Sequence, residues 1–179
     1  EVLNSLNVNN TYTLSTTKEL AEQYSLKTIS DLKSLPQPVT ICSTLAFMNR
    51  EDGLLGVEDR YGFQFDKKGV DGSARYTALM NGEGQVIDAY STDGLLKKFD
   101  LAVLEDDAGV FPPYYAVPVF RGEIMEKYPE IREITEQLAS VLSTDVMAGL
   151  NYLVDEEGQK PQDVAHEFLQ ENLPEYASK

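Results

Sequence analysis

Ten tyrosines and no tryptophan stand in this sequence. Four of the tyrosines fall where a regular core has little use for a phenol. Tyr12 follows Asn9-Asn10, Tyr90 precedes Ser91 in "VIDAYSTDG", and Tyr114 and Tyr115 sit in the proline-rich "FPPYYAVPVF". Rings that converge from separate segments can enclose a quaternary ammonium group. Such a group has no N–H to donate, and ring faces hold it at about 0.5–2 kcal/mol per desolvated ring. Three β-rich stretches also end at hydroxyl residues ahead of a helix signal: "TYTLS" at Thr16-Thr17, "VTIC" at Ser43-Thr44 and "QVIDAY" at Ser91-Thr92. Free backbone N–H groups at helix starts favour an anion such as a carboxylate.

The usual catalytic sets do not assemble. His166, the single histidine, lies in "PQDVAHEFLQ", the pattern of a surface helix, and no serine or cysteine occupies a nucleophile elbow. The consecutive acids of "LEDD" (Glu105 to Asp107) match no calcium-loop spacing and are expected to point apart into water. "REDG" (Arg50 to Gly53) reads as a salt bridge plus a helix cap, and neither standard phosphate-cradling glycine spacing occurs. Cys42 has no second cysteine to pair with and reads as a small buried side chain. No catalytic residue, cofactor or metal site is expected.

The elements that must position these tyrosines alternate strand and helix signals, which argues for an α/β layer structure. A threonine-capped helix runs to Tyr24, a short one from Ser30 stops at Pro36, and another follows "VTIC" with Ser43 or Thr44 as its cap. "DGLLGVEDRYG" reads as an Asp-capped helix closed by Gly62, and "DGSARYTALMNG" as another closed by Asn81-Gly82. "QVIDAY", "TDGLLKKF" and "LAVL" have the spacing of a right-handed βαβ unit, with Ser91 and Asp93 expected to cap its helix. Pro112, Pro113 and Pro118 confine the next run to an edge or connecting strand. Helices follow behind Pro129, behind Ser143 or Thr144, and at Pro161, so a lobe boundary falls between Glu105 and Pro118.

At 179 residues with 42% hydrophobic and 25% charged side chains, the composition is that of an ordinary globular chain. The net charge of −15 repels a phosphate backbone, so nucleic acid and anionic membrane surfaces are poor partners. Residues 123 to 179 carry 13 acids and 4 bases, a pattern of solvated helix faces. No apolar run reaches the roughly 20 residues of a membrane span, and residues 1 to 15 lack a signal-peptide pattern.

Six stretches then carry a resemblance: "NNTYTL", "LKTISDL", "FMNREDGLLGVEDRYGF", "RYTALMNGEGQVIDAYSTDG", "LAVLEDDAGVFPPYYAVPV" and "LNYLVDEEGQKPQDVAHEFL". In this order they resemble the substrate-binding proteins of osmoprotectant ABC transporters, which take up glycine betaine, choline, carnitine and, in some relatives, ergothioneine. The resemblance implies an α/β fold of the type II periplasmic-binding-protein kind whose two lobes close on the ligand, and no enzymatic activity. It implies Tyr12, Tyr90 and Tyr114 as three walls of a cage and Asn10 as a contact for the ligand's carboxylate, with Ser43 and Thr44 as further candidates. Residues 1–15 become a hinge strand, 16–110 the second lobe, and 111–179 the return strand with the C-terminal helices of the first lobe.

The portion of that family that builds most of the first lobe, with a "YTGT"-type segment and a further tyrosine, lies outside this chain. The helices it would cover are expected to self-associate. Where family members show a Glu-Pro-Glu type segment, this chain has "STLAF" (Ser43 to Phe47), so the wall at the non-ammonium end differs. The implied partners are a quaternary ammonium ligand and an ABC permease. The implied place is outside the cytoplasmic membrane, lipid-anchored or fused to the permease. A ligand-sensing receptor domain of the same fold is the alternative.

Overall fold

The computed structural model describes residues 1–177. A five-stranded sheet in the order β3-β2-β4-β1-β5 forms its centre, from β1 (Tyr12–Thr17), β2 (Val39–Ser43), β3 (Phe65–Gly69), β4 (Val86–Tyr90) and β5 (Leu101–Leu104). β2 runs parallel to β3 and β4, whereas β1 runs antiparallel between β4 and β5. The crossover through α5 (Gly94–Lys98) therefore does not join neighbouring strands: it skips the position that β1 fills. β3 carried no strand signal, because four of its five residues are exposed on the sheet edge and no alternation shows. Its Lys67 and Lys68 are the charges that keep an edge strand from pairing with another chain.

Side chains alternate across the strands, so the sheet has two cores. On one face Leu14, Ile41 and Val86 pack with Phe47, Leu54 and Val57, under α1 (Lys18–Tyr24), α2 (Leu45–Met48) and α3 (Leu54–Tyr61). On the other, Cys42, Ile87 and Ala89 pack with Tyr76 and Leu79 of α4 (Ala74–Met80), and with α5. Each large aliphatic buried here contributes about 1.5–3 kcal/mol. Because β4 alternates, Val86 and Tyr90 share the first face, and β1 places Tyr12 and Leu14 there too.

The caps divide into those that form and those that do not. Thr17 accepts from Leu20 N, Thr44 from Phe47 N and Ser143 from Val146 N. Asp52 does not cap α3: Gly53 takes the N-cap position, and the carboxylate is engaged elsewhere. Ser91 and Asp93 do not cap α5 either; Ser91 Oγ donates to Asn9 O at 2.5 Å, and Asp93 makes no capping bond.

The "FPPYYAVPVF" segment joins no sheet strand and lies against residues 1–10 instead. Leu3 N donates to Pro118 O, Leu6 N to Ala116 O, Ala116 N to Val8 O, and Asn10 N to Tyr114 O, all at 2.9 to 3.0 Å. Beyond it come α6 (Gly122–Lys127), α7 (Ile131–Val141), α8 (Thr144–Asp155), α9 (Pro161–Asn172) and α10 (Pro174–Ala177). None of these helices is long and apolar enough to cross a membrane. His166 lies exposed on α9. α7 buries no residue at all, and Val2, Val117, Val119, Ile124 and Tyr128 are exposed as well.

α8 docks on α5 through a close approach at Gly94. A Cβ there would lie 2.6 Å from Tyr152 Cα and 2.7 Å from Tyr152 N, both backbone atoms. Asn151 Nδ2 donates to Thr92 O at 2.9 Å, and Lys98 pairs with Glu156 across the same seam. Gly94→Ala is expected to force the two helices apart and cost about 1–3 kcal/mol. A thermal melt checks it; an unchanged midpoint would show that the seam can widen freely.

Candidate ligand-binding site

β1 begins and β4 ends at the same end of the sheet, where Tyr12 and Tyr90 are partners in register. Their rings stack with centroids 4.9 Å apart and planes 28° from parallel, and Tyr90 OH donates to Tyr12 OH at 3.4 Å. Behind Tyr12 stand Phe47, with ring centroids 4.9 Å apart, and Phe111, at 6.2 Å. Phe111 is held from the acidic loop, where Asp106 accepts from Phe111 N at 2.7 Å and from Tyr61 OH at 2.6 Å. Asp107 accepts from Ser30 N at 3.2 Å. These two acids diverge as expected: Asp107 stays exposed, whereas the half-buried Asp106 turns inward and fixes the loop.

Tyr114 arrives from the return segment. Its backbone N donates to Asn9 Oδ1 at 2.6 Å and its hydroxyl donates to Asp52. Asp52 in turn holds Arg50 in a two-pronged grip, Nε and Nη2 each at 2.7 Å, the fork geometry of the stronger ion pairs. The Arg50 guanidinium carbon lies 5.8 Å from the centroid of the Tyr12 ring, so that ring already faces a positive group. Asn10 accepts from Thr92 Oγ1 at 2.6 Å, which leaves its side-chain N–H groups as spare donors.

Asn10, Tyr12, Arg50, Tyr90, Tyr114 and Ala116 line one hollow of about 390 Å³. The three tyrosines and Asn10 singled out in the sequence are thus brought together. Ser43 and Thr44 are not: Ser43 is fully buried, and Thr44 donates through N and Oγ1 to Asp88 at 3.0 and 3.3 Å while capping α2. Their polar groups are consumed inside the fold, which corrects the strand-end argument at this position. Arg50 and Asp52 were missed as site residues. Their salt bridge was legible, but nothing in the sequence shows that Tyr114, 62 positions on, completes it.

No group with a shifted pKa in the hollow titrates near neutrality. Burial, then the bond with Tyr90, pushes the Tyr12 phenol well above the ordinary 10, and the bond to Asp52 pushes Tyr114 up. Hydrogen bonds from Arg50 and Tyr114 lower Asp52 from 3.8 to about 2. A lowered acid contributes stability that is complete above its unfolded value and is lost as pH falls through its folded value, here from 3.8 toward about 2. Tyr12 and Tyr114 therefore stay neutral and Asp52 ionised across the working range. Affinity is expected to stay flat from about pH 5 to about pH 9. Titrations across that range check it, and a tenfold drift would contradict it.

An antiparallel pair leading into and out of a mixed sheet, with an aromatic hollow at the sheet's end, defines a type II periplasmic-binding-protein fold, here as a partial domain. Residues 1–171 match the family model for the substrate binding domain of ABC-type glycine betaine transport system. The chain belongs to that family. It is 38% identical over 166 residues to the ergothioneine transport permease/ergothioneine binding protein EgtU of Helicobacter pylori, covering 92% of this chain and 30% of that protein. It is 38% identical over 176 residues to a glycine-betaine-binding protein of Pseudomonas aeruginosa, covering 92% and 57%. A solved glycine betaine/carnitine/choline ABC transporter structure superposes with a TM-score of 0.87 at 37% identity, covering 95% of this chain and 63% of that one. The chain thus spans less than two thirds of each of these three relatives.

Proposed function

We propose that this chain is part of an extracytoplasmic solute receptor that captures a quaternary ammonium compound in a tyrosine cage and passes it, chemically unchanged, to the permease of an ABC importer. One observation carries the reading: Tyr12, Tyr90 and Tyr114, from three distant segments, meet Asn10 and Arg50 at a single hollow. The ring faces take the methylated nitrogen. The spare Asn10 donors and the Arg50 guanidinium take a carboxylate, where the ligand has one. Betaine and ergothioneine, named in the relatives, both fall within that chemistry.

In this reading residues 1–15 and the start of 111–179 link two lobes, 16–110 form the lobe that bears the cage, and α6 to α10 belong to the other lobe. Closure of the lobes on ligand would report occupancy to the permease. The Helicobacter relative, whose name combines permease and binding protein, supports attachment by fusion; a lipid anchor is the other arrangement. The unburied α7 and those exposed side chains call for a cover, from the rest of the first lobe or from a second copy of the chain.

Calorimetric titration of the full-length protein with glycine betaine, choline, carnitine and ergothioneine tests the reading. Binding of at least one is expected, and no heat from any of the four overturns it.

A further inference from the structure

The geometry points to Asp93 and Arg75 as a positioning pair for Tyr90, an inference that rests on the cage reading above. Asp93 occupies the N-cap position of α5 without bonding any N–H of that helix. Its Oδ2 turns back instead and accepts from Tyr90 N at 3.0 Å, Tyr76 OH at 2.7 Å and Arg75 Nη2 at 3.1 Å. An aspartate that leaves its own helix uncapped and grips the end of the preceding strand fixes the backbone from which the Tyr90 ring projects.

Arg75 supplies the charge that holds this arrangement. It is 5% exposed, and its other nitrogens donate to Asp88 O and Gly72 O, each at 2.6 Å. Its Nε also lies 3.8 Å from Asp88 Oδ1, and that buried carboxylate accepts both bonds from Thr44. One guanidinium thus ties the turn after β3 to β4 and to the turn that ends it, and through the Asp88 carboxylate it reaches Thr44 at the end of β2. Charge-assisted bonds of this kind are shorter and stronger than neutral ones.

Tyr90 needs such an anchor because it is only half-buried against the first core. Its ring stacks on Tyr12 on the cage side. Tyr90 also lines a second hollow of about 250 Å³, together with Gly72, Arg75, Asp93 and Gly94. A residue that borders two hollows owes its place to its backbone more than to close packing.

The test is a double-mutant cycle in the full-length protein, read by calorimetric titration with tetramethylammonium, a probe that carries the cation and no carboxylate. Asp93→Ala is expected to weaken binding about tenfold with Tyr90 present and less than about twofold in a Tyr90→Ala background, where the ring it places is already gone. Equal losses in the two backgrounds, or none in either, overturn the positioning role and leave the cage standing. Asp93→Asn keeps an oxygen for Tyr90 N–H while removing the charge opposite Arg75, and it carries the cycle if Asp93→Ala does not fold. No heat from the parent protein, or a Tyr90→Ala variant that binds as tightly as the parent, overturns the cage and this role together.

Discussion

Tyr12→Ala is expected to weaken binding of a quaternary ammonium ligand by about 2 kcal/mol, roughly thirtyfold. Tyr12 is the hub of the aromatic group: it touches Phe47, Phe111 and Tyr90, and it faces Arg50. It is also 8% exposed, so its removal from the core costs about 3 kcal/mol of stability as well. Two companions separate the ring from its bulk. Tyr12→Phe keeps the π face and gives up only a long 3.4 Å hydroxyl contact, so its affinity should stay within about threefold of the parent. Tyr12→Leu fills much of the space without a ring quadrupole and should lose about tenfold. Calorimetry on folded variants decides. If Tyr12→Leu binds as well as Tyr12→Phe, the ring contributes bulk alone and the cation-π account fails.

Arg50→Met is expected to divide the ligands by charge. Glycine betaine, which carries a carboxylate, should lose about tenfold or more, the scale of a hydrogen bond to a charged group. Choline, which carries none, should bind unchanged or somewhat tighter, because losing Arg50 leaves Asp52 as an unpaired negative charge beside the hollow while its bond from the Tyr114 hydroxyl remains. Arg50→Lys is no conservative control here, since an ammonium cannot reproduce the two-pronged hold on Asp52 that also anchors Tyr114. Titrating both ligands against Arg50→Met checks the split. Equal losses would mean that Arg50 acts only by supporting the walls.

Much of this was legible in the residue order, for identifiable reasons. β1 is a β-rich stretch and β2, β4 and β5 are largely apolar runs bounded by caps or turns, and Thr17, Thr44 and Ser143 cap as their positions suggest. β3 was invisible because "FDKKG" buries only Phe65 and relies on Val39 to Ser43 for its pairing. The strand order was obscured for a related reason: the antiparallel insertion of β1 between β4 and β5 is a long-range pairing that no local pattern encodes.

At the site, the tyrosines stood out because phenols at strand ends have no routine packing role. Asp52 and Asp93 were misread in the same way. Each is an aspartate one or two residues ahead of a helix, the ordinary signature of a cap. Each instead bonds partners that the chain brings in from elsewhere: Tyr114 for Asp52, and Arg75 with Tyr76 for Asp93. Ser43 and Thr44 failed as site residues because Asp88, a buried acid in the next strand over, claims the Thr44 donors.

The register that sets Tyr12 opposite Tyr90 restricts how descendants of this chain can change. Gaining or losing one amino acid within either strand would turn its phenol to the opposite side of the sheet, so those two walls can be altered only by exchanging one side chain for another. Tyr114 hangs from a stretch outside the central sheet, held only by scattered bonds to residues 1–10 and by its hydroxyl on Asp52. New solute preferences are therefore most accessible through that third wall.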